Sequence, residues 1–225
     1  MNWRSPFYRV VRGLALLALA SLTSGCIASA VGADDEPNAT FDLVTPAAIE
    51  GTSRASGVQV LVPEPSALAT LASQRIVVRV GAREVQYLAG ARYQDTLTRV
   101  TQFKLKRTLE ASPAIGAAAL PGEGLAIDYQ VLTDIRAFEI RTVPVLVAST
   151  DRAATAAPRS AFVSLTVKLL DDRSGNVVAS RVFERSAPVP AVTDDAAVGE
   201  AYLAALDAAL DDALVDIRAF VASRV

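Results

Sequence analysis

Apolar residues change their spacing several times along this 225-residue chain, and each change marks an element. TFDLV (40–44) is a short β-rich run. A turn-rich stretch over 45–57 separates it from VQVLVP (58–63), a second strand that stops at Pro-Glu-Pro. RIVVRV (75–80) reads as a half-buried strand, and Gly81-Ala82 turns it into REVQYLAG (83–90), the second arm of a hairpin. The period then becomes helical. Asp95 suits an N-cap, and Leu97, Val100, Leu105 and Leu109 fall near one face, leaving Lys104, Lys106 and Arg107 for solvent. Pro113 ends this helix, because the residue before a proline avoids the helical region.

Alternation returns in IDYQVLTDIRAFEIR (127–141), where Val131, Thr133, Ile135 and Ala137 oppose Asp134 and Arg136. After a soft loop over 149–159, AFVSLTVKLLDD (161–172) and VVASRVFERSAPV flank RSGN and form the clearest hairpin. From Asp194 to Val221 the apolar positions recur at three and four residues, as Val198, Tyr202, Leu206, Leu210, Leu214, Ile217 and Val221. Thr193 or Asp194 would cap this terminal helix. Opposite its stripe lie Asp207, Asp211, Asp212 and Asp216. A divalent-metal patch there lacks the glycine-turned loop that calcium sites use, so a solvated helix face is the plainer reading. The apolar stripe itself reads as core.

The most apolar run lies earlier. Arg4, Arg9 and Arg12 precede GLALLALASLTSG (13–25), and no acid occurs before Asp34. A basic start, an uncharged core and the small residues Ser24 and Gly25 make a secretory signal, with cleavage expected between Gly25 and Cys26. Cys26 is the only cysteine of the chain. It resembles the lipidated cysteine of a bacterial lipoprotein signal; Thr23 stands where a lipobox has leucine, with Leu22 one step earlier. In that class the thiol takes a diacylglycerol and the freed amine an acyl chain such as palmitate, each buried methylene contributing about 0.8 kcal/mol to membrane retention. A buried structural thiol and an uncleaved anchor are the alternatives. The expected organisation is a signal peptide over 1–25, a flexible tether over 26–39 and a folded domain over 40–225.

Charge and composition remove several function classes. Without the three leader arginines, 19 basic residues face 24 acidic ones, a net charge of −5 for the 200 residues from Cys26 onward. No basic stripe invites nucleic acid. With no histidine, catalysis by Ser-His-Asp or Cys-His groups is excluded, as are zinc sites built on histidine or several cysteines. No phosphate-binding glycine loop is present; the glycines of PGEGLAIDY lack the spacing and the helix that should follow. A carboxylate-pair hydrolase stays formally open, since sequence does not reveal pairs formed in space. The expectation is a non-enzymatic protein with no cofactor and no metal.

Several blocks together resemble the ABC-type transport auxiliary lipoprotein family. They are the signal with Cys26, the early FDL strand, VPEPSALATLASQRIVVRV, VQYLAGARYQDTLTRVTQFKLKRTLEAS, DYQVLTDIRAFE and the terminal AVGEAYLAALDAALDDALVDIRAFVAS. YLAGARYQD (87–95) carries the most of the likeness, with Tyr93 where many members have tryptophan. The resemblance implies an α/β fold, a three-layer mixed β-sheet with packed helices and a long C-terminal amphipathic helix. It implies an accessory part of a lipid transport system beside an MCE-domain protein, a permease and an ATPase. Tyr87, Arg92 and Tyr93 would then be candidate contacts to the MCE-domain partner or to further copies in a homo-oligomer. The plainer alternative has both tyrosines covering a sheet edge and Arg92 paired with a carboxylate. Ile27, not aspartate, after the cysteine points to the outer membrane; because the sorting rule differs between bacteria, the inner membrane stays open. A scaffold lipoprotein regulating an envelope enzyme by contact alone is the competing function.

Overall fold

One strand, Tyr129–Thr142, organises the sheet. The computed structural model describes residues 39–43, 57–142, 158–192, 194 and 197–225. Gly25, Cys26, the tether before Ala39, residues 45–56 and most of the loop expected over 149–159 lie outside the described residues. The chain divides into Met1–Asn38 and Ala39–Val225, and every described residue belongs to the second unit. Its elements run β1 (Ala39–Phe41), β2 (Val58–Leu61), β3 (Ser66–Ala67), β4 (Arg75–Arg79), β5 (Val85–Tyr93), α1 (Leu97–Glu110), β6 (Ile115–Ala119), β7 (Tyr129–Thr142), β8 (Arg159–Asp171), β9 (Val177–Pro188) and α2 (Val198–Ala222).

Along one edge β7 pairs antiparallel with β8 over its whole length, and β8 with β9. The opposite edge is shared by three short parallel strands: β2 at its start, β3 at its middle and β4 at its end. Beyond β2 lies β6, parallel; beyond β4 lie β5, antiparallel, and then β1. Strand β6 (IGAAA) and the two-residue β3 are additions to the expected elements. Neither carries the β-branched alternation that marks a strand in sequence. Where β2 meets β6, Gly57 and Gly116 touch backbone to backbone. A Cβ on Gly57 would come within 2.2 Å of the Gly116 nitrogen, so only glycine fits.

A bulge corrects one expected alternation. Ile135 pairs with Leu165, but Ala137 pairs with Ser164, which leaves Arg136 as the extra residue. Val131, Thr133 and Ile135 are buried before the bulge, and Phe138 and Ile140 after it, while Ala137 leaves the buried row. That row meets Ala161, Val163, Leu165, Val167 and Leu169 of β8, all fully buried, and α2 packs across them. Leu206, Leu210, Leu214, Ile217 and Val221 of α2 are fully buried too, each contributing about 1.5–3 kcal/mol by leaving water.

Helices α1 and α2 touch each other as well as the sheet, so both lie on the same face. The fold is the mixed α/β sheet with a long terminal helix that was expected, and its described residues supply two layers, sheet and helices. The helix seam corrects two expectations. Lys104, expected in solvent, is 2% exposed because Leu97, Thr101, Lys104, Leu105 and Thr108 share the buried stripe. Its ammonium is paired with Asp207 and, at 2.8 Å, with Asp211 of α2. Asp216 likewise pairs with Arg185 of β9, leaving Asp212 as the exposed member of the expected wet face. The caps differ as well. Thr96 occupies the cap position of α1, while Asp95 accepts from the Thr96 amide at 2.7 Å and from Arg99 at 3.1 Å. Helix α2 begins after Ala197, whose amide donates to the Asp194 carbonyl.

Candidate interaction surface

Tyr87 to Asp95 spans all but the first two residues of β5 and the turn into α1. The register with β4 runs Val77 to Tyr87 and then jumps to Arg75 opposite Arg92, so β5 carries extra residues between them. Gly90 sits in that jump at φ 71°, a left-handed conformation that costs a glycine nothing. Past it, Ala91 and Tyr93 enter the core, and Arg92 stays on the face away from the helices, level with Thr40 of β1.

The three singled-out side chains therefore part company. Tyr93 is 1% exposed and meets the Phe138 ring edge-on at 6.1 Å. Burial pushes its phenol far up, and its hydroxyl has no hydrogen-bond partner among the described residues. It is a core residue, not the edge cover that packing alone suggested, and its ring offers a partner nothing to touch. Tyr87 is half-buried, with the Arg75 guanidinium 3.7 Å above its ring. Arg92 is exposed and donates from Nε to Thr40 Oγ1 at 3.1 Å. A hydroxyl thus stands where a carboxylate was expected. Cys26 and Gly25 fall outside the described residues.

Tyr87 and Arg92 have neighbours that sequence reasoning did not gather. Arg75, Val77 and Arg79 share a parity on β4, and parallel pairing sets Val77 level with Glu139 and Arg79 level with Arg141. Glu139 is buried on this face beneath both guanidiniums. Arg79 holds it in a two-bond fork at 2.7 and 2.8 Å, and Arg141 Nε donates to it at 2.6 Å. Burial alone would raise its carboxyl, but the two arginines outweigh that and hold it below the usual glutamate range. Arg141 also lies 3.5 Å over the Phe162 ring of β8. The repeated arginines in R-I-V-V-R and E-I-R were the available signal. Joining them required knowing that β4 runs beside β7, 60 residues later.

Two clefts complete the surface. One of about 330 Å³ lies between β3, β7 and β8, lined by Glu64, Ser66, Leu132, Asp134, Thr166 and Lys168 among others. Both of its carboxylates are engaged: Thr98 donates to Glu64 at 2.6 Å and Ser66 to Asp134 at 2.8 Å. The other, about 430 Å³, lies between Asp42, Leu43 and the α1 residues Val100, Phe103 and Arg107. Among the described residues no group of three His, Cys, Asp or Glu is placed to hold a metal ion. No helix among them is long and apolar enough to cross a membrane.

Comparison with known proteins fits this fold. A crystal structure of a Xanthomonas campestris protein superposes with a TM-score of 0.67 at 26% identity, covering 83% of this chain and 95% of that one. A second solved structure, of an uncharacterized protein, has a TM-score of 0.59 at 12% identity and shares the fold. An uncharacterized Bradyrhizobium diazoefficiens protein is 29% identical over 170 residues; the match takes in 76% of this chain and 41% of that relative, so this chain spans about two fifths of its length. Residues 41–217 match the ABC-type transport auxiliary lipoprotein component, nearly all of the second unit. The chain belongs to the ABC-type transport auxiliary lipoprotein family.

Proposed function

We propose that this protein is the non-catalytic, lipid-anchored docking component of an MCE-type lipid transport system in the Gram-negative envelope. The family match over residues 41–217 carries the reading, because it runs from the last residue of β1 through most of α2. Two features support it. The signal ending in Cys26 supplies an anchor, and Ile27 favours the outer membrane. Tyr87, half-buried, and Arg92, exposed, are groups of the kind that anchor docking contacts.

Affinity isolation of the membrane-extracted protein tests the reading, with Cys26→Ala as the control that is not lipid-anchored. Recovery of an MCE-domain protein with its permease is the expected result. Recovery of a cell-wall enzyme without them would replace it with the scaffold function. Labelled palmitate should enter the wild-type chain and not the Cys26→Ala chain; equal labelling of both would remove the anchor.

A further inference from the structure

We infer that the sheet face around Arg75, Arg79, Arg92 and Arg141, which no helix covers among the described residues, docks onto anionic phospholipid headgroups of the membrane that holds the anchor. The inference rests on the proposed lipidation of Cys26. Three strands bring these arginines together. Arg75 and Arg79 lie on β4, Arg92 on β5 opposite Arg75, and Arg141 on β7 level with Arg79, with Thr40 of β1 completing the row beside Arg92. Glu139 is the carboxylate among them, so the cluster carries a net charge of +3 in a chain that is acidic as a whole. Among the described residues neither Arg75 nor Arg92 has a carboxylate within ion-pair distance. Further acids on this face include Asp134 of β7, which accepts from Ser66 Oγ at 2.8 Å, and Glu184, three strands from β4, which accepts from Ser164 Oγ at 3.2 Å.

The chemistry of these groups matches a phosphodiester surface. Arg75 and Arg141 rest on the rings of Tyr87 and Phe162 at 3.7 and 3.5 Å, which holds each planar guanidinium in place without neutralising it. Arg75, so held, offers its fork of N–H donors to phosphate oxygens with little left to immobilise, while Arg141 keeps its Nε on Glu139. Val85, 38% exposed and level with Arg79, adds an apolar rim beside the charges. A membrane is favoured over an acidic protein by the covalent path. The first strand of the domain is also the one that borders Arg92, and Ala39 stands 13 positions after Cys26. A chain of that length reaches at most about 45 Å. The chain that leads from the anchor thus enters the domain at this edge of the sheet.

The test uses the mature chain with Cys26→Ser, so that no acyl chain contributes, and sedimentation with vesicles. Vesicles of phosphatidylcholine containing phosphatidylglycerol should retain the protein, retention should fall with added salt, and pure phosphatidylcholine should not retain it. Arg75→Gln with Arg92→Gln should weaken retention about thirtyfold. Melting of the variant is followed alongside, to show that it stays folded. Three outcomes overturn the inference: no retention on anionic vesicles, equal retention on neutral ones, or retention unchanged in the folded double variant. Retention that emerges only after Asp34, Asp35 and Glu36 are neutralised would also overturn it, since the tether's own acids would then occupy the arginines. Arginine-dependent capture of an acidic transporter subunit without vesicle binding would do the same. Because the tested chain carries no lipid, its result is read separately from the palmitate labelling of Cys26.

Discussion

Two buried charges of opposite sign hold the two sides of the sheet, and each is met by two partners. In the helix seam the Lys104 ammonium lies between Asp207 and Asp211; on the open face the Glu139 carboxylate lies between Arg79 and Arg141. The geometries differ. Arg79 grips Glu139 with a planar fork, and both arginines keep about a third of their side chains in water. The aspartates offer single oxygens from neighbouring turns of α2, and their mutual repulsion is relieved by the lysine between them. Glu139 is held below the glutamate range by its arginines. Asp211 is shifted up instead, because desolvation outweighs the pull of Lys104 and nearby Asp207 and Asp212 push the same way. Guanidiniums that reach water share a buried charge at low cost, whereas carboxylates drawn into a seam depend on their one cation.

Removing that cation should have the largest effect. Lys104→Met leaves two facing carboxylates and is expected to cost about 3 kcal/mol, read as a Tm lower by about 10 °C for a domain of this size. Adding Asp207→Leu and Asp211→Leu should recover more than half of the loss, and failure to recover would mean that the lysine stem matters more than its charge. Glu139→Gln should cost less, about 2 kcal/mol, since its arginines turn to solvent. A larger loss than that of Lys104→Met would reverse the contrast between the two sites.

Acid titration of stability separates them by sign. Glu139 has a folded-state pKa below its unfolded one, so its contribution is complete above the ordinary glutamate pKa and is lost as pH falls through the lowered value. Asp211 has a folded-state pKa above its unfolded one, so its contribution is complete below the ordinary aspartate pKa and is lost as pH rises through the raised value. Between pH 7 and pH 3, Glu139→Gln should therefore lose stability less steeply than wild type, and Asp211→Asn more steeply. Denaturant midpoints across that range check both slopes. The smallest change expected is Arg75→Gln, about 0.5 kcal/mol, from loss of the stacked ring.

The elements that sequence made legible are those whose pattern is local. The β8–β9 hairpin follows its own alternation around Ser174, Gly175 and Asn176, and α2 its own stripe. What escaped depends on partners distant in sequence. IGAAA becomes a strand because Gly116 must lie against Gly57 and Ala118 pairs with Val60. Lys104 reads as a wet residue until an aspartate 103 positions later is packed over it. Arg136 reads as one more polar alternation, and only the pairing with β8 makes it a bulge. At the candidate surface, Tyr87 and Arg92 were named from sequence, but Arg75, Arg79, Arg141 and Phe162 enter through strand order. Tyr93 left the surface because the jump at Gly90 shifts the pairing of β5.

The divided edge of β7 makes the sheet mechanically lopsided. Its junction with β8, the next strand in the chain, is a long ladder interrupted by one bulge, whereas β2, β3 and β4 each hold only two or three positions of it across some 60 to 70 residues of intervening chain. Long-range closures of this kind form late and open early. The domain is thus a durable three-stranded meander with a detachable flank, and backbone amides of Val60 and Ala67 should exchange with solvent well before those of Leu165 and Val167. A pull transmitted through the N-terminal tether would act on that flank first.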